Sequence, residues 1–305
     1  MLATPWSRDF GLRVPIVNAP MGGVAGGRLA TAVTAAGGLG MVGMGSTATR
    51  SSLAAELRQV RGRFGIGLVD WVMRSQSGLL DDAVAARPAL LSVSFGTDLS
   101  WVPAARDAGI PTATQVYDAD GARRAADAGV DVLVARGAEG GGHGEVRLAT
   151  LPLLDAVLDV VSLPVLAGGG IASPRSLAAV LAAGASGAWV GTRLAACPEA
   201  LTGGPGRAAL IAAAATDTQV TRVFDIAAGL PWPERFPSRV LTDDFAARWT
   251  GHEEALAGDP DACAAPLAPV DAGQGVGMVR DDATVGEVID AMCSGAAELL
   301  SRWTP

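Results

Sequence analysis

The sequence predicts a (β/α)8 barrel of the TIM type with a C-terminal helical extension, and three observations predict it. Short Val/Ile/Leu-rich runs alternate with segments of helical period, the pattern of β/α units around a parallel sheet. Eight such runs fall within residues 1–192, one per ~24 residues, which is the number of strands a closed barrel needs. After residue 192 the alternation stops, and Gly203, Gly204, Pro205, Pro231, Pro233 and Pro237 break the pattern. A doubly wound open sheet is the competing arrangement; it usually has fewer strands and a switch in strand order.

The strands are expected at residues 14–19, 39–42, 64–69, 90–95, 111–116, 132–135, 164–167 and 188–191. Between the first two, Leu29, Ala32, Val33 and Ala36 recur at helical spacing. Leu53, Leu57 and Val60 mark the next helix, and Leu151, Leu154, Leu158 and Val161 the one after the sixth strand. The helix after the seventh strand opens on Ser173 as N-cap and Pro174 at the first helical position, with Leu177, Val180 and Leu181 inward. Residues 193–305 read as a closing helix and a helical extension packed on the barrel, one structural domain overall. Helices are expected over 208–215, 243–249 and 285–303, the last carrying Val288, Met292 and Leu299, with a Pro/Ala-rich loop over 259–269.

Composition narrows the function. Half of the 305 residues are hydrophobic, enough for a sizeable core, yet no apolar run reaches the ~18 to 20 residues of a membrane span. Residues 1–10 carry Arg8 and Asp9 and no apolar core of a secretory signal, so a cytoplasmic location is the default expectation. The net charge of -8 and the lack of a basic face argue against a nucleic-acid partner. Cys197, Cys263 and Cys293 are widely spaced beside only two histidines, which suggests neither a disulfide framework nor a metal site. The partners expected are a small-molecule substrate and O2, without nucleic acid or membrane, and a homodimer is compatible with this.

In such barrels the chemistry sits where the strands end, at their carboxyl side. The seventh strand is followed by Gly168, Gly169 and Gly170 and the eighth by Gly191 and Thr192. Glycines there let backbone N–H groups close on a phosphate, the usual use of loops seven and eight, although a GGG alone is also a tight turn. The loop after the sixth strand runs Arg136-Gly137-Ala138-Glu139-Gly140-Gly141-Gly142-His143-Gly144. It lets backbone lie against a flat ring and presents one imidazole that can take a proton from a carbon acid. A surface-loop histidine is the plain alternative; Glu139 could serve as base instead but reads as solvated, and His252, among charged neighbours, reads as exposed. Asn18-Ala19-Pro20-Met21-Gly22-Gly23 ends the first strand with a turn that can fold over a bound ring or simply stop the strand. Gln115 offers both an amide donor and an acceptor, as a flavin's pyrimidine edge requires, and reads equally as a surface glutamine. Trp71 walls an apolar pocket or covers the barrel rim.

Together these motifs resemble the nitronate monooxygenases, once called 2-nitropropane dioxygenases. The stretch PIVNAPMGGVAGGRLATAVTAAGGLGMVG is similar to their N-terminus and RGAEGGGHG to their histidine loop. LPVLAGGGIASPRSLAAVLAAGASGAWVGTRL is similar to their FMN-phosphate segment and AGQGVGMV to their C-terminal motif, so the likeness runs through nearly the whole chain. The resemblance implies non-covalent FMN and oxidation of alkyl nitronates with O2 to a carbonyl compound and nitrite. By position it implies ring contacts from Pro20, Met21 and Gly22, phosphate contacts from Gly169, Gly170, Gly191 and Thr192, and His143 as catalytic base or anion stabiliser shaped by Gly141 and Gly142. The chain also resembles the flavin-dependent enoyl-acyl-carrier-protein reductases, which use NAD(P)H; a flavin-binding barrel without the oxidase chemistry is the third expectation. Two positions depart from the pattern. Gly67 stands where many relatives have an asparagine, and Arg136 where many have glutamine. A cation at Arg136 would favour anionic reduced flavin, or would merely pair with Glu139.

Overall fold

The computed structural model describes residues 2–264 and 267–302. Its strands are β1 (Ile16–Asn18), β2 (Met41–Met44), β3 (Gly65–Val69), β4 (Leu91–Ser94), β5 (Thr112–Val116), β6 (Val132–Arg136), β7 (Gly142–His143), β8 (Val165–Gly168), β9 (Gly187–Val190), β10 (Thr218–Thr221) and β11 (Ser238–Leu241). Eight of them form one parallel sheet in the order β1-β9-β8-β6-β5-β4-β3-β2. All eight lie within two residues of the runs read from the sequence. Leu39 donates to Ile16 O (3.0 Å) and Asn18 N–H to Leu39 O (3.3 Å), which joins β1 to the segment entering β2 and closes the ring. The fold is the (β/α)8 barrel.

The closure is fixed by one side chain. Asn18 is fully buried; its Oδ1 accepts from Met41 N–H (2.7 Å) and its Nδ2 donates to Met41 O (2.9 Å), so an amide stands in for the strand pairing that the tilt opens at this point. Trp6, Leu12, Val17, Met41, Leu166 and Trp189 fill the barrel interior, while Ile16, Ile66, Leu133 and Val165 face the helices on the other side. Burial on both faces is why these strands read as nearly continuous apolar runs rather than alternating ones.

The helices follow their caps. Pro174–Ala182 starts at the Ser173 capping box and Val285–Ser301 at that of Thr284, and these two helices pack on each other over the β8–β9 side of the barrel. Residue 303, the expected end of the last helix, lies outside the described residues, as do 265 and 266 of the expected 259–269 loop. That loop contains a single turn of helix, Pro260–Cys263, capped by Asp259. The expected helix over 208–215 runs Gly204–Ala212 instead, because Pro205 sits in its first turn rather than breaking it. In Thr150–Leu158 the inward face is Leu153, Leu154 and Val157, and Leu151 is 45% exposed. The run TLPLLDAVL holds two overlapping apolar stripes, and docking between β6 and β8 selects the second.

Beyond residue 192 the extension is helical, as expected, with one addition. β10 and β11 form an antiparallel hairpin, and β11 pairs with β7 so that Ser238 lies opposite His143 and Arg239 opposite Gly142. Strands of four and two residues are too short to show a period in sequence. No helix among the described residues is long and apolar enough to cross a membrane.

Replacing Asn18 by Ala would leave a buried N–H and C=O of Met41 unpaired. Urea unfolding of Asn18→Ala is expected to show a loss of roughly 3 kcal/mol against the wild type.

Candidate active site

At the carboxyl ends of the strands the barrel opens into a cavity of about 1290 Å3, its solvent mouth included. Most of the candidates read from the sequence line it: Pro20, Met21 and Gly22 from the first loop, Gln115 from β5, Arg136, Gly141, Gly142 and His143 from the end of β6 and the loop after it, and Gly169, Gly170, Gly191 and Thr192 from the last two; Trp71, Glu139 and His252 do not.

The sixth loop is shaped from within. Arg136, the last residue of β6, is 5% exposed, and its Nη2 donates to the carbonyls of Gly140 (2.9 Å), Gly141 (3.1 Å) and Gly142 (2.9 Å). Three successive carbonyl oxygens turned onto one guanidinium curl the loop over the barrel mouth. Burial pulls the Arg136 guanidinium below its ordinary value, but an arginine keeps its proton. It forms no ion pair with Glu139. That carboxylate instead accepts from the N–H and hydroxyl of Thr150 (both 2.8 Å), at the start of the helix Thr150–Leu158. Glu139 is thus committed to structure rather than to proton transfer.

A second buttress is the AGQGVGMV segment. Gln274 N–H donates to Glu139 O (2.9 Å), and Gly273 N–H donates to Thr192 Oγ1 (2.9 Å), so the segment ties the sixth loop to the eighth. Gly141 and Gly273 meet backbone to backbone: a Cβ on Gly141 would stand 2.5 Å from Gly273 N. Only two glycines fit there.

The cradle after β8 and β9 has donors to spare. The N–H groups of Gly169, Gly170 and Gly191 reach no protein oxygen among the described residues. Gly170 adopts φ +69°, a conformation that other L-residues rarely take. Thr192 accepts from Gly273 and keeps its own hydroxyl hydrogen to give. Such a set of unsatisfied donors at a cavity wall suits an anion.

His143 is held on three sides. Its backbone pairs with Ser238, and its Nε2 lies 3.1 and 2.9 Å from the two oxygens of Asp225. Its ring stacks on Trp232 at 3.6 Å between centroids and 7° between planes. A carboxylate can only accept, so Nε2 carries the hydrogen. Nδ1, which has no protein partner among the described residues, is then the acceptor in the neutral ring. Trp232 is itself pinned by a hydrogen bond from Nε1 to Ser46 Oγ (2.9 Å) and by the edges of Trp71 and Phe95 at 5.7 and 5.2 Å. Trp71 is therefore a support of the wall and does not line the cavity.

Gln115 points its amide at the cavity with its Oε1 already receiving the Tyr117 hydroxyl (3.0 Å), so its NH2 is the free half. At Gly67 the pyrrolidine ring of Pro20 occupies the space that a side chain would need: a Cβ there would lie 2.2 Å from Pro20 Cγ. No side chain fits at this position with Pro20 as placed. His252 is exposed, as the sequence suggested.

Three residues of the site were not foreseen. Asp225 sits in the single-turn helix Val223–Ala227, Trp232 in the loop after it, and Asp271 just before the AGQG motif. Asp271 opens onto the cavity beside the histidine loop and accepts from Ser238 Oγ (2.8 Å). Crowding by protein pushes its carboxyl above the ordinary aspartate range, against the pull of His143. The sequence signal for Asp271 was its place next to a glycine motif; for Asp225 there was none.

Comparison with known proteins places the chain. A family model described as nitronate monooxygenase matches residues 5–64 and 74–235. A Mycobacterium tuberculosis protein, (3aS,4S,5R,7aS)-5-hydroxy-7a-methyl-1-oxo-octahydro-1H-indene-4-carboxyl-CoA dehydrogenase, is 35% identical over 203 residues; the match covers 63% of this chain and only 55% of that protein. Nitronate monooxygenase of Pseudomonas aeruginosa is 29% identical over 330 aligned positions, 83% of this chain and 94% of that one. The crystal structure of nitroalkane oxidase from Streptomyces ansochromogenes superposes with TM-score 0.80 at 27% identity, covering 98% of this chain and all of the other.

Arg136→Met removes the grip on three carbonyls and also a buried charge. Hydrogen exchange at residues 140–144 is expected to quicken at least tenfold while the melting temperature changes by only a few degrees, because loss of a desolvated cation offsets part of the lost hydrogen bonding.

Proposed function

The chain belongs to the nitronate monooxygenase family, and from that premise we propose that it is an FMN-dependent oxidoreductase that oxidises alkyl nitronates with O2 to a carbonyl compound and nitrite. One observation carries the reading: the same cavity joins a set of unused backbone donors, suited to a phosphate, to a lone imidazole oriented by a carboxylate.

The cavity fits a flavin. Gly169, Gly170, Gly191 and Thr192 would hold the phosphate, since the N–H groups of the three glycines and the hydroxyl hydrogen of Thr192 have no acceptor among the described residues. Pro20, Met21, Gly22, Gly141 and Gly142 would flank the ring, where the glycines keep side chains out of the way. The Gln115 amide and the Arg136 guanidinium would meet its polar edge. Bound there, the flavin would supply the two-electron redox chemistry that no side chain of this chain can.

The protein's own part is binding, orientation and proton handling. Arg136 gives the cavity a positive charge to balance an anionic nitronate oxygen. Where the substrate is a neutral nitroalkane, Nδ1 of His143 takes the α-proton, and Asp225 stabilises the imidazolium that results. Trp232 covers the ring face and keeps water from competing for that proton.

The chain's likeness to a CoA-thioester dehydrogenase supports a second reading, a flavin enzyme acting on a thioester. NAD(P)H-dependent enoyl-thioester reduction is the form considered from the sequence, and anaerobic bleaching of the protein by NADPH would mark it. The third expectation, a barrel without redox chemistry, was motivated by Gly67; Pro20 fills that place, which weakens the motive.

The purified protein is expected to be yellow and to consume O2 and release nitrite with ethyl nitronate. A flavin-loaded protein inert towards several nitronates ends the nitronate assignment. His143→Gln is expected to slow neutral nitroethane by about 10²- to 10⁴-fold, the range of a general base, with a much smaller loss on preformed nitronate. Equal losses on the two would remove the base role. Asp225→Asn should follow the same pattern to a lesser degree.

A further inference from the structure

A second cavity adjoins the first. It measures about 740 Å3 with its mouth and lies over β5 and the helix Ala119–Asp127. Gln115 lines both cavities, so at that point a single amide, braced by Tyr117, stands between them. Beside it the rings of Phe95, in the first cavity, and Phe236, in the second, meet edge to face at 5.7 Å.

The backbone is bent to make this partition. Phe95 has φ +70°, in the left-handed region that a bulky residue occupies only when its surroundings force it. With that turn Phe95 faces the first cavity while Gly96 and Thr97 line the second.

The charges of the second cavity are uneven. Arg147 bridges Asp118 and Glu145 and thereby accounts for both carboxylates of the lining. Arg124 and Arg235 remain. Neither forms an ion pair or a side-chain hydrogen bond among the described residues, and Arg235 lies over the Phe236 ring with its guanidinium carbon 4.5 Å from the centroid. Three guanidinium groups against two carboxylates leave this pocket at +1 in a chain whose net charge is -8. Two uncommitted guanidinium forks on one polar pocket, next to a reaction cavity, suit the planar oxygens of a phosphate.

We propose that the second cavity is a phosphate subsite, formed by Arg124 and Arg235, for the tail of a reactant whose other end lies in the first cavity. This rests on the reading of the first cavity as the reaction centre. A small unsubstituted nitronate would fill only the first; the preferred reactant would carry a phosphorylated tail that passes Gln115 and Phe236.

The test uses flavin-loaded protein, in which the glycine cradle is already filled, and inorganic pyrophosphate as probe. Calorimetry at low salt is expected to show saturable binding to the wild type, weakened at least tenfold in the double variant Arg124→Gln/Arg235→Gln, with the flavin spectrum unchanged. Absence of binding in the wild type, or equal binding in the variant, overturns the subsite. In turnover, the nitronates of a series of ω-nitroalkyl phosphates are compared with those of the matching nitroalkanes. The expected result is a KM at least tenfold lower for the best phosphate, lost in the double variant, with kcat little changed. Arginine-dependent pyrophosphate binding without any such preference overturns the tail and leaves a site for free phosphate. Failure of the underlying reading shows separately, as no turnover of either series while the calorimetry stands.

Discussion

The site depends on a buried cation. Arg136 ends a barrel strand with its guanidinium inside the protein and no carboxylate in ion-pair contact among the described residues; the carbonyls of three glycines accept from it, with the charges of Asp271 and Glu139 farther off. That arrangement works both ways. The charge needs the loop, because an unsolvated cation without acceptors is costly; the loop needs the charge, because a run of glycines has no side chains with which to hold a shape. The result is a rigid backbone surface across the barrel mouth, followed at once by His143. Mobility that the glycines would otherwise bring to this loop is restrained by that side chain together with the Gly273–Gln274 backbone and the pairing with β11.

Around this surface the site is assembled from opposite ends of the chain. The barrel proper supplies the floor, the glycine cradle and the histidine. Residues beyond the eighth barrel strand supply what orients them: Asp225 for the imidazole hydrogen, Trp232 for its ring face, Ser238 for its backbone, and the Gly273–Gln274 backbone for the loops on either side. The extension is thus part of the candidate site. Its stability is coupled to that of the site, since the pairing of β11 with β7 is shared by both.

The departure at Gly67 illustrates how such a site tolerates exchange. A side chain at that position is incompatible with Pro20 as placed, with 2.2 Å between the would-be Cβ and Cγ of the proline. The first loop packs directly on β3 at this point, and both Pro20 and Gly67 line the cavity.

How much of this was legible follows from the range of each interaction. The eight barrel strands, the Ser173 cap and the glycine cradle are local: apolar runs buried on both faces, a capping residue with its partner three positions on, and glycines where donors must turn outward can all be read from neighbours in sequence. The Gly-rich loop and His143 were legible for the same reason. The inward face of Thr150–Leu158 was not, because two apolar stripes compete there and only docking chooses between them. Nor was the hairpin of β10 and β11, too short to show a period. Asp225 and Trp232 could not be read at all, since their meaning lies in a contact with His143 some eighty to ninety positions away in the chain. The sequence by itself determined the barrel and most of the residues gathered at its mouth; the tertiary structure alone decided which carboxylate and which ring hold the imidazole, because charge and stacking act through space and leave no spacing along the chain.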